Sequence, residues 1–154
     1  MSANEVISKS IDIHAPLSIV WDVLTNPDLM KQWMAEPEME LSIKTDWKVG
    51  NPIVIKGFHH IKFENKGTVL QVEPHKVLRY NYVSSLSRLP DRPENYIVTE
   101  FRLAPTENKT TLTITLSNFA TEAIYHHTDF YWKGTIEILR KFAEGQGSSN
   151  PADN

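Results

Sequence analysis

Six histidines, His14, His59, His60, His75, His126 and His127, are the side chains here best suited to metal binding and to proton transfer near neutral pH. Their spacing works against both. Neighbours on a strand or hairpin, as His59 and His60 would be, point to opposite faces and do not readily share one metal. On a helix, His126 points to the polar side and His127 to its border, about 100° away. Each pair therefore reads as solvated surface, and His127, near Tyr131 and Gly134, is the one placed to look into a pocket mouth. The chain has no cysteine, which excludes disulfides, thiolate metal sites and cysteine nucleophiles. P-loop, GxGxxG, HExxH and GxSxG patterns are all missing from the sequence, so nucleotide, dinucleotide, zinc-protease and serine-hydrolase chemistry lack their physical signatures. Among the acids, Glu100 alternates away from Phe101 and Glu73 adjoins a turn proline, while Glu64 and Asp46 sit in irregular stretches. No buried carboxylate pair with separated pKa values is expected. No catalytic residue, metal ligand or cofactor is assigned. The polar groups left with something to do are hydroxyls, Thr128 and Thr135 together with Tyr80, Tyr82 and Thr99.

Those hydroxyls are positioned by two kinds of element. From Thr121 to Ala143 the pattern is that of one long helix, with Gly145 reading as its end. At about 100° per residue, Ile124, Tyr125, Thr128, Tyr131, Trp132, Thr135, Ile136, Ile138, Leu139, Phe142 and Ala143 fall on one side. His126, Asp129, Lys133, Glu137, Arg140 and Lys141 fall on the other, and only Phe130 breaks the division. The apolar arc covers nearly half the cylinder, wider than the roughly 100° stripe of an ordinary surface helix. The helix must lie along something large and concave.

From Asn51 to Phe119 the period is two, the spacing of strands. Leu78, Tyr80 and Tyr82 form one inward set, Ile97, Thr99, Phe101 and Leu103 a second, and Leu112, Ile114 and Leu116 a third. Thr111, Thr113 and Thr115 fill the alternate positions, so one face is wet. Turn chemistry marks joints at Asn65-Lys66-Gly67, Glu73-Pro74-His75 and Ala104 to Asn108. The segment Ser84 to Asn95, with Pro90, Pro93, Leu86 and Leu89, reads either as a flap over one end of the space between sheet and helix or as a loop with a structural role only. Upstream, Ile7, Ile11 and Ile13 make a first strand ending at Ala15-Pro16. A short helix with Ile19, Val20, Val23 and Leu24 follows, and another begins near Pro27-Asp28, carrying Leu29, Met30 and Trp33. The fold class is α+β, ordered β, two short α, about six β, one long α.

The segment from Ile11 to Pro16, then Val20-Trp21, Thr25 to Asp28 and Trp33, resembles the opening of the helix-grip superfamily of START-like and Bet v 1-like domains. Val49-Gly50, Gly67 to Pro74, Leu78-Arg79-Tyr80 and the series Trp132, Ile136, Leu139 resemble the branch named for the C-terminal domain of the activator of the Hsp90 ATPase. The likeness runs from about Val6 to Ala143. It implies a curved antiparallel sheet of about six to seven strands wrapped around the long helix, with a cavity that in related branches receives small hydrophobic molecules. Alternation and wheel position supply its lining: Trp33, Tyr80, Tyr82, Thr99, Phe101, Ile114, Leu116, Ile124, Thr128, Tyr131 and Thr135. Two alternatives stand beside this. The many inward aromatics can fill the gap outright, and Thr128 and Thr135 can each bond back to their own helix. The function implied is that of a carrier or sensor for a small hydrophobic ligand, a binder rather than an enzyme, with weak catalysis through Tyr and Thr hydroxyls left open. The other class implied is a protein-interaction module acting on a chaperone or its client, although a pattern beginning at Val6 leaves no room for the extra N-terminal domain of eukaryotic activators.

At 154 residues and 40% hydrophobic, the chain can bury a core without staples. One domain over 1–144 and a disordered tail over 145–154 are expected. The net charge of -3 and scattered Lys and Arg exclude a general nucleic-acid binder, which needs a basic stripe. Neither a signal-peptide pattern nor a window of about 18 apolar residues occurs, so no membrane association and a cytoplasmic location are expected. Asn108-Lys109-Thr110 matches a glycosylation sequon but reads as a turn.

Overall fold

The computed structural model describes residues 5–148. Strand β1 (Val6–Ile13) turns at Ala15-Pro16 into helix α1 (Leu17–Thr25). The joint is pinned by the buried Thr110 hydroxyl, which donates to Ala15 O at 2.8 Å. Helix α2 (Pro27–Met34) starts one residue after α1 ends, because Asn26 closes α1 with an extended backbone and caps α2 by accepting from Asp28 N at 3.0 Å. Proline in the first turn loses no hydrogen bond there.

Six further strands follow: β2 (Ser42–Thr45), β3 (Pro52–His59), β4 (Ile61–Glu73), β5 (Val77–Ser84), β6 (Ile97–Thr106) and β7 (Lys109–Ser117). Helix α3 (Glu122–Ser148) ends the described chain. Sheet order is β1-β7-β6-β5-β4-β3-β2, every neighbour antiparallel. The meander from β2 to β7 pairs each strand with the next in sequence, through short joints except between β5 and β6, and β1 adds beside β7. Both the α+β class and the helix-grip architecture read from the sequence are present, with seven strands.

Inward rows cross the sheet in register. Tyr80 stands opposite Thr99, which stands opposite Leu116, which stands opposite Ile7. One row along, Leu78 meets Phe101, which meets Ile114. Helix α3 lies across these rows with Trp132, Ile136, Leu139 and Ala143 buried. At one border of that face, Asp129 pairs with Lys9 of β1 at 3.0 Å. On the outer face, Glu100 lies between Arg79 and Arg102, bonded to both at 2.5 and 3.0 Å.

Several sequence expectations need correction. Asn65-Lys66-Gly67 is no turn but lies inside β4. The glycine answers a different need, since a Cβ there would strike Asn81 O at 1.7 Å. The β3–β4 turn is instead at His60, whose φ of 63° reverses the chain so tightly that His59 pairs with Ile61. The β6–β7 turn is narrower than read, with Ala104 to Thr106 still in strand and Glu107 at φ 51° making the reversal. The four-residue edge strand β2 gives too short a pattern to be seen. Ile138, placed on the buried side of the wheel, is 52% exposed, because it sits at the edge of the arc. Gly145 does not stop α3, which continues to Ser148. Its φ is not positive, so it cannot form the left-handed stop expected of a C-terminal glycine. Glu144, accepting from His14 N at 2.9 Å and pairing with Arg140 at 3.0 Å, ties this last part of the helix down. Of the tail expected over 145–154, residues 149–154 fall outside the described part.

The segment 84–95 contains two 3-10 turns, Ser85–Ser87 and Pro93–Asn95. Asp91 holds it to Lys66 at 2.8 Å, and Asn118 donates to Tyr96 O at 2.7 Å. Lys66 stands opposite Val83, on the face away from Tyr80 and Tyr82, so this anchor is on the outer side of the sheet rather than over the gap.

Two outcomes follow from this packing. Leu139 is fully buried, and Leu139→Ala is expected to lower unfolding free energy by about 2 to 5 kcal/mol in urea titrations; a loss below about 0.5 kcal/mol would contradict the assigned face. The second concerns acid. Burial alone would raise the Glu100 carboxyl, but Arg79 and Arg102 outweigh it and hold its pKa below the ordinary 4.5. A depressed carboxylate contributes stability above its unfolded pKa and loses it as pH falls through the folded one. Wild type should therefore lose stability as pH drops below about 4.5, and Glu100→Gln should flatten that part of the profile.

Candidate functional site

A chain of rings occupies the space between sheet and α3. Trp33 of α2 meets Trp132 at 6.1 Å between centroids, Trp132 meets Phe101 at 5.9 Å, Phe101 meets Tyr80 at 6.3 Å, and Tyr80 meets Trp47 at 6.0 Å. Tyr131 joins from the helix side, 5.3 Å from Trp132. Both indole donors of the outer pair are satisfied, Trp33 by Val23 O at 2.9 Å and Trp47 by Thr25 O at 2.6 Å. These bonds fix both rings against the C-terminal end of α1 and let the indoles be buried at little polar cost.

Polar groups collect in the middle. The Tyr131 hydroxyl donates to Met34 O at 2.6 Å, which ties α3 to the end of α2. The Tyr80, Tyr82 and Tyr131 phenols lie close enough to influence one another. Burial pushes Tyr80 far above its ordinary value, with Tyr82 and Tyr131 adding to the rise. Burial pushes Tyr82 up to about 12. Tyr131 is also raised by burial, the Thr135 hydroxyl partly opposing it. All three stay neutral at working pH, so they donate and accept hydrogen bonds but supply no phenolate base.

Thr99 is 1% exposed, and its hydroxyl has no hydrogen-bond partner. It is opposite Tyr80 in the sheet. Thr128, by contrast, donates to Ile124 O at 2.7 Å, the own-helix bond that was one of its two readings. Asn65 Oδ1 is a second buried acceptor without a partner, on the same inward row as Ile55 and Ser84.

Of the residues read from the sequence, Trp33, Tyr80, Phe101 and Tyr131 are thus linked ring to ring or through Trp132. Tyr82, Thr99 and Thr135 complete the polar middle. Ile114 and Leu116 stand beside Phe101 and Thr99 on the neighbouring strand, while Ile124 and Thr128 lie toward the start of α3, Ile124 only half-buried. Trp47 was not foreseen, because it sits at φ 56° in a loop with no periodicity to reveal its direction. Asn65 was missed for the reason given above, its turn-like neighbours. The only available signal for either was the rarity of tryptophan and the odd length of β4.

The histidines stay outside this region. His127 is exposed, and His126 faces Glu122 at 3.4 Å. His59 and His60 do not diverge as expected; their rings meet edge-on at 4.8 Å because His60 is left-handed. Among the described residues no group of three or more His, Asp or Glu could hold a metal. Two surface grooves also lie elsewhere. One of about 300 Å3 is lined by Met39, Ser42, Lys56, Phe58, Lys62 and Phe63 among others, and one of about 260 Å3 runs along Lys44, Thr45, Pro52 and Val54. Among the described residues no helix is long and apolar enough to cross a membrane.

Comparison with solved structures returns the same architecture. Protein ChR145 from Cytophaga hutchinsonii, solved in solution, is 33% identical, with 97% of this chain and 100% of that one covered at a TM-score of 0.78. Protein NE0264 from Nitrosomonas europaea is 23% identical, covering 95% and 98% at 0.75. Protein CV1439 from Chromobacterium violaceum is 19% identical, covering 90% and 96% at 0.78. No curated protein matches the sequence. The family model described as activator of Hsp90 ATPase homolog 1-like protein matches residues 14–144, and with nine-tenths of the described fold inside that match, the chain belongs to this family.

Proposed function

We propose that this chain binds a small hydrophobic molecule between the curved sheet and α3, as a carrier or sensor, with Thr99 and the phenols of Tyr80, Tyr82 and Tyr131 orienting it. The observation that carries this reading is the Thr99 hydroxyl, buried to 1% exposure without a partner. Buried polar groups in native proteins are nearly always hydrogen-bonded, and each exception asks for a cause. A ligand with an apolar body and one polar group reaching Thr99 would supply that partner.

The aromatic chain fills the gap, so admission of such a ligand requires rings to swing aside. The apparent affinity is then the intrinsic affinity reduced by the fraction of molecules in the open form. Neutral phenols set the chemistry to binding and orientation rather than proton transfer.

A second reading, a module that acts on a chaperone of the Hsp90 class, is supported by the description of the family. It predicts a change in the ATPase rate of such a chaperone on adding this protein, and no dependence on Thr99.

The test is a melting-temperature screen against fatty acids, sterols, flavonoids and aromatic acids, in which a ligand at 100 times its Kd adds about 2.7 kcal/mol. Thr99→Val keeps the side-chain shape and deletes an unpaired hydroxyl, so the free protein should be as stable as wild type or gain about 1 kcal/mol. Any ligand found on wild type should bind the variant roughly two- to twelve-fold less tightly, the worth of one hydrogen bond. An empty screen, or a Thr99→Val protein destabilised by more than about 1 kcal/mol, would remove the basis of the carrier reading.

A further inference from the structure

Helix α3 carries an outward ridge that the other described residues leave uncovered. Phe130, Gly134 and Ile138 follow at four-residue spacing, which aligns them along one side of a helix. Phe130 is 78% exposed and Ile138 52%. Between them, a Cβ built on Gly134 would meet nothing within 4 Å. No packing within the chain therefore calls for glycine at this position, and glycine inside a helix is unfavourable relative to alanine. Its missing side chain leaves a notch between two apolar knobs, a shape that admits a second helix backbone at close range.

We propose that this ridge is a self-association surface, on which α3 of a second copy of the chain packs antiparallel and crosses at Gly134. Symmetry and charge select that occupant. With a two-fold axis at the glycines, Phe130 of each copy lies beside Ile138 of the other, so each knob finds an apolar neighbour. Lys133 and Glu137 flank the same side of the ridge on either side of Gly134, with side chains 67% and 53% exposed; within the chain they pair with Asp129 at 3.5 Å and Arg140 at 2.9 Å, surface pairs worth little on their own and readily exchanged across an interface. The antiparallel two-fold keeps this flank of both copies on one side of the contact, with Lys133 of each copy beside Glu137 of the other, whereas a parallel two-fold puts the two flanks on opposite sides, where no such cross-pair forms. One helix pair buries surface at the low end of specific interfaces, below about 1,200 Å2. The dimer is accordingly weak and reversible, with Kd on the order of 10 to 100 μM.

Sedimentation equilibrium over a range of concentrations tests this on the full chain. Wild type should self-associate in that range. Gly134→Leu fills the notch with a better helix former, so it should weaken the dimer at least tenfold while its melting temperature stays level or rises, which separates lost docking from lost folding. Phe130→Ser should weaken the dimer likewise. Lys133→Glu alone sets acid against acid and should also weaken it, and adding Glu137→Lys should restore it by reversing the pair. A wild type that remains monomeric up to about 1 mM, or a dimer indifferent to Gly134→Leu, overturns the proposal, even if the ridge then proves to hold another macromolecule. A double charge reversal that fails to restore association overturns the antiparallel arrangement.

Discussion

The contact of Trp132 with Trp33 and Phe101 is the one on which the rest of the fold depends. A single indole on α3 meets the short-helix pair through Trp33 and the middle of the sheet through Phe101, at 6.1 and 5.9 Å. Aromatic pairs of this geometry are worth about 0.5 to 1.5 kcal/mol each beyond the area that they bury. More important than their energy is their connectivity. The sheet offers one dry face, α3 a broad apolar face, and neither α1 nor α2 is long enough to stand alone in water. At Trp132 all three are joined.

That junction explains why the interior is rich in rings yet polar at its centre. The rings touch one another in sequence across the space, and the tryptophan donors are absorbed by the carbonyls of Val23 and Thr25. Tyrosines cannot be treated so simply. Each brings a hydroxyl at the far end of its ring, and where the ring points inward the hydroxyl arrives in the middle of the gap. Tyr131 finds Met34 O, while Thr99, one residue across from Tyr80, is left without a partner. An apolar residue at position 99 would pack equally well and cost nothing in lost hydrogen bonds. The polarity of this centre therefore has no explanation in the packing alone, which is why it carries the functional reading.

Legibility in the sequence tracked the length of each pattern. Helix α3 and the strands around Leu78, Phe101 and Ile114 repeat their period over many residues, so their inward faces could be named, and Tyr80, Thr99 and Phe101 could be placed on one side. Short or aperiodic pieces could not. Trp47 turns inward from a left-handed backbone, and no alternation announces that. Gly67 shows a different limit. Asn-Lys-Gly has the composition of a turn, but its glycine is required by the closeness of Asn81 O across the sheet. Local chemistry alone does not tell a bend from a close approach. The histidine turn at His60 was hidden for the converse reason, since a left-handed histidine carries no mark of its own in the sequence.

Glycine also separates the two faces of α3. Gly67 is fixed by what surrounds it, and Gly145 is tolerated beside a turn that Glu144 holds with His14 and Arg140. Gly134 is neither: its surroundings are open, and it weakens the middle of the helix on which Trp132 and Leu139 rely. The inward side of α3 is constrained by the buried Trp132, Ile136, Leu139 and Ala143, so substitutions there register first as lost stability. The outward side carries no such constraint, and a large exposed phenylalanine beside a bare glycine costs solubility and helix stability without returning anything to the monomer. On the proposed reading that cost is recovered outside the core, by the second copy that packs against the ridge.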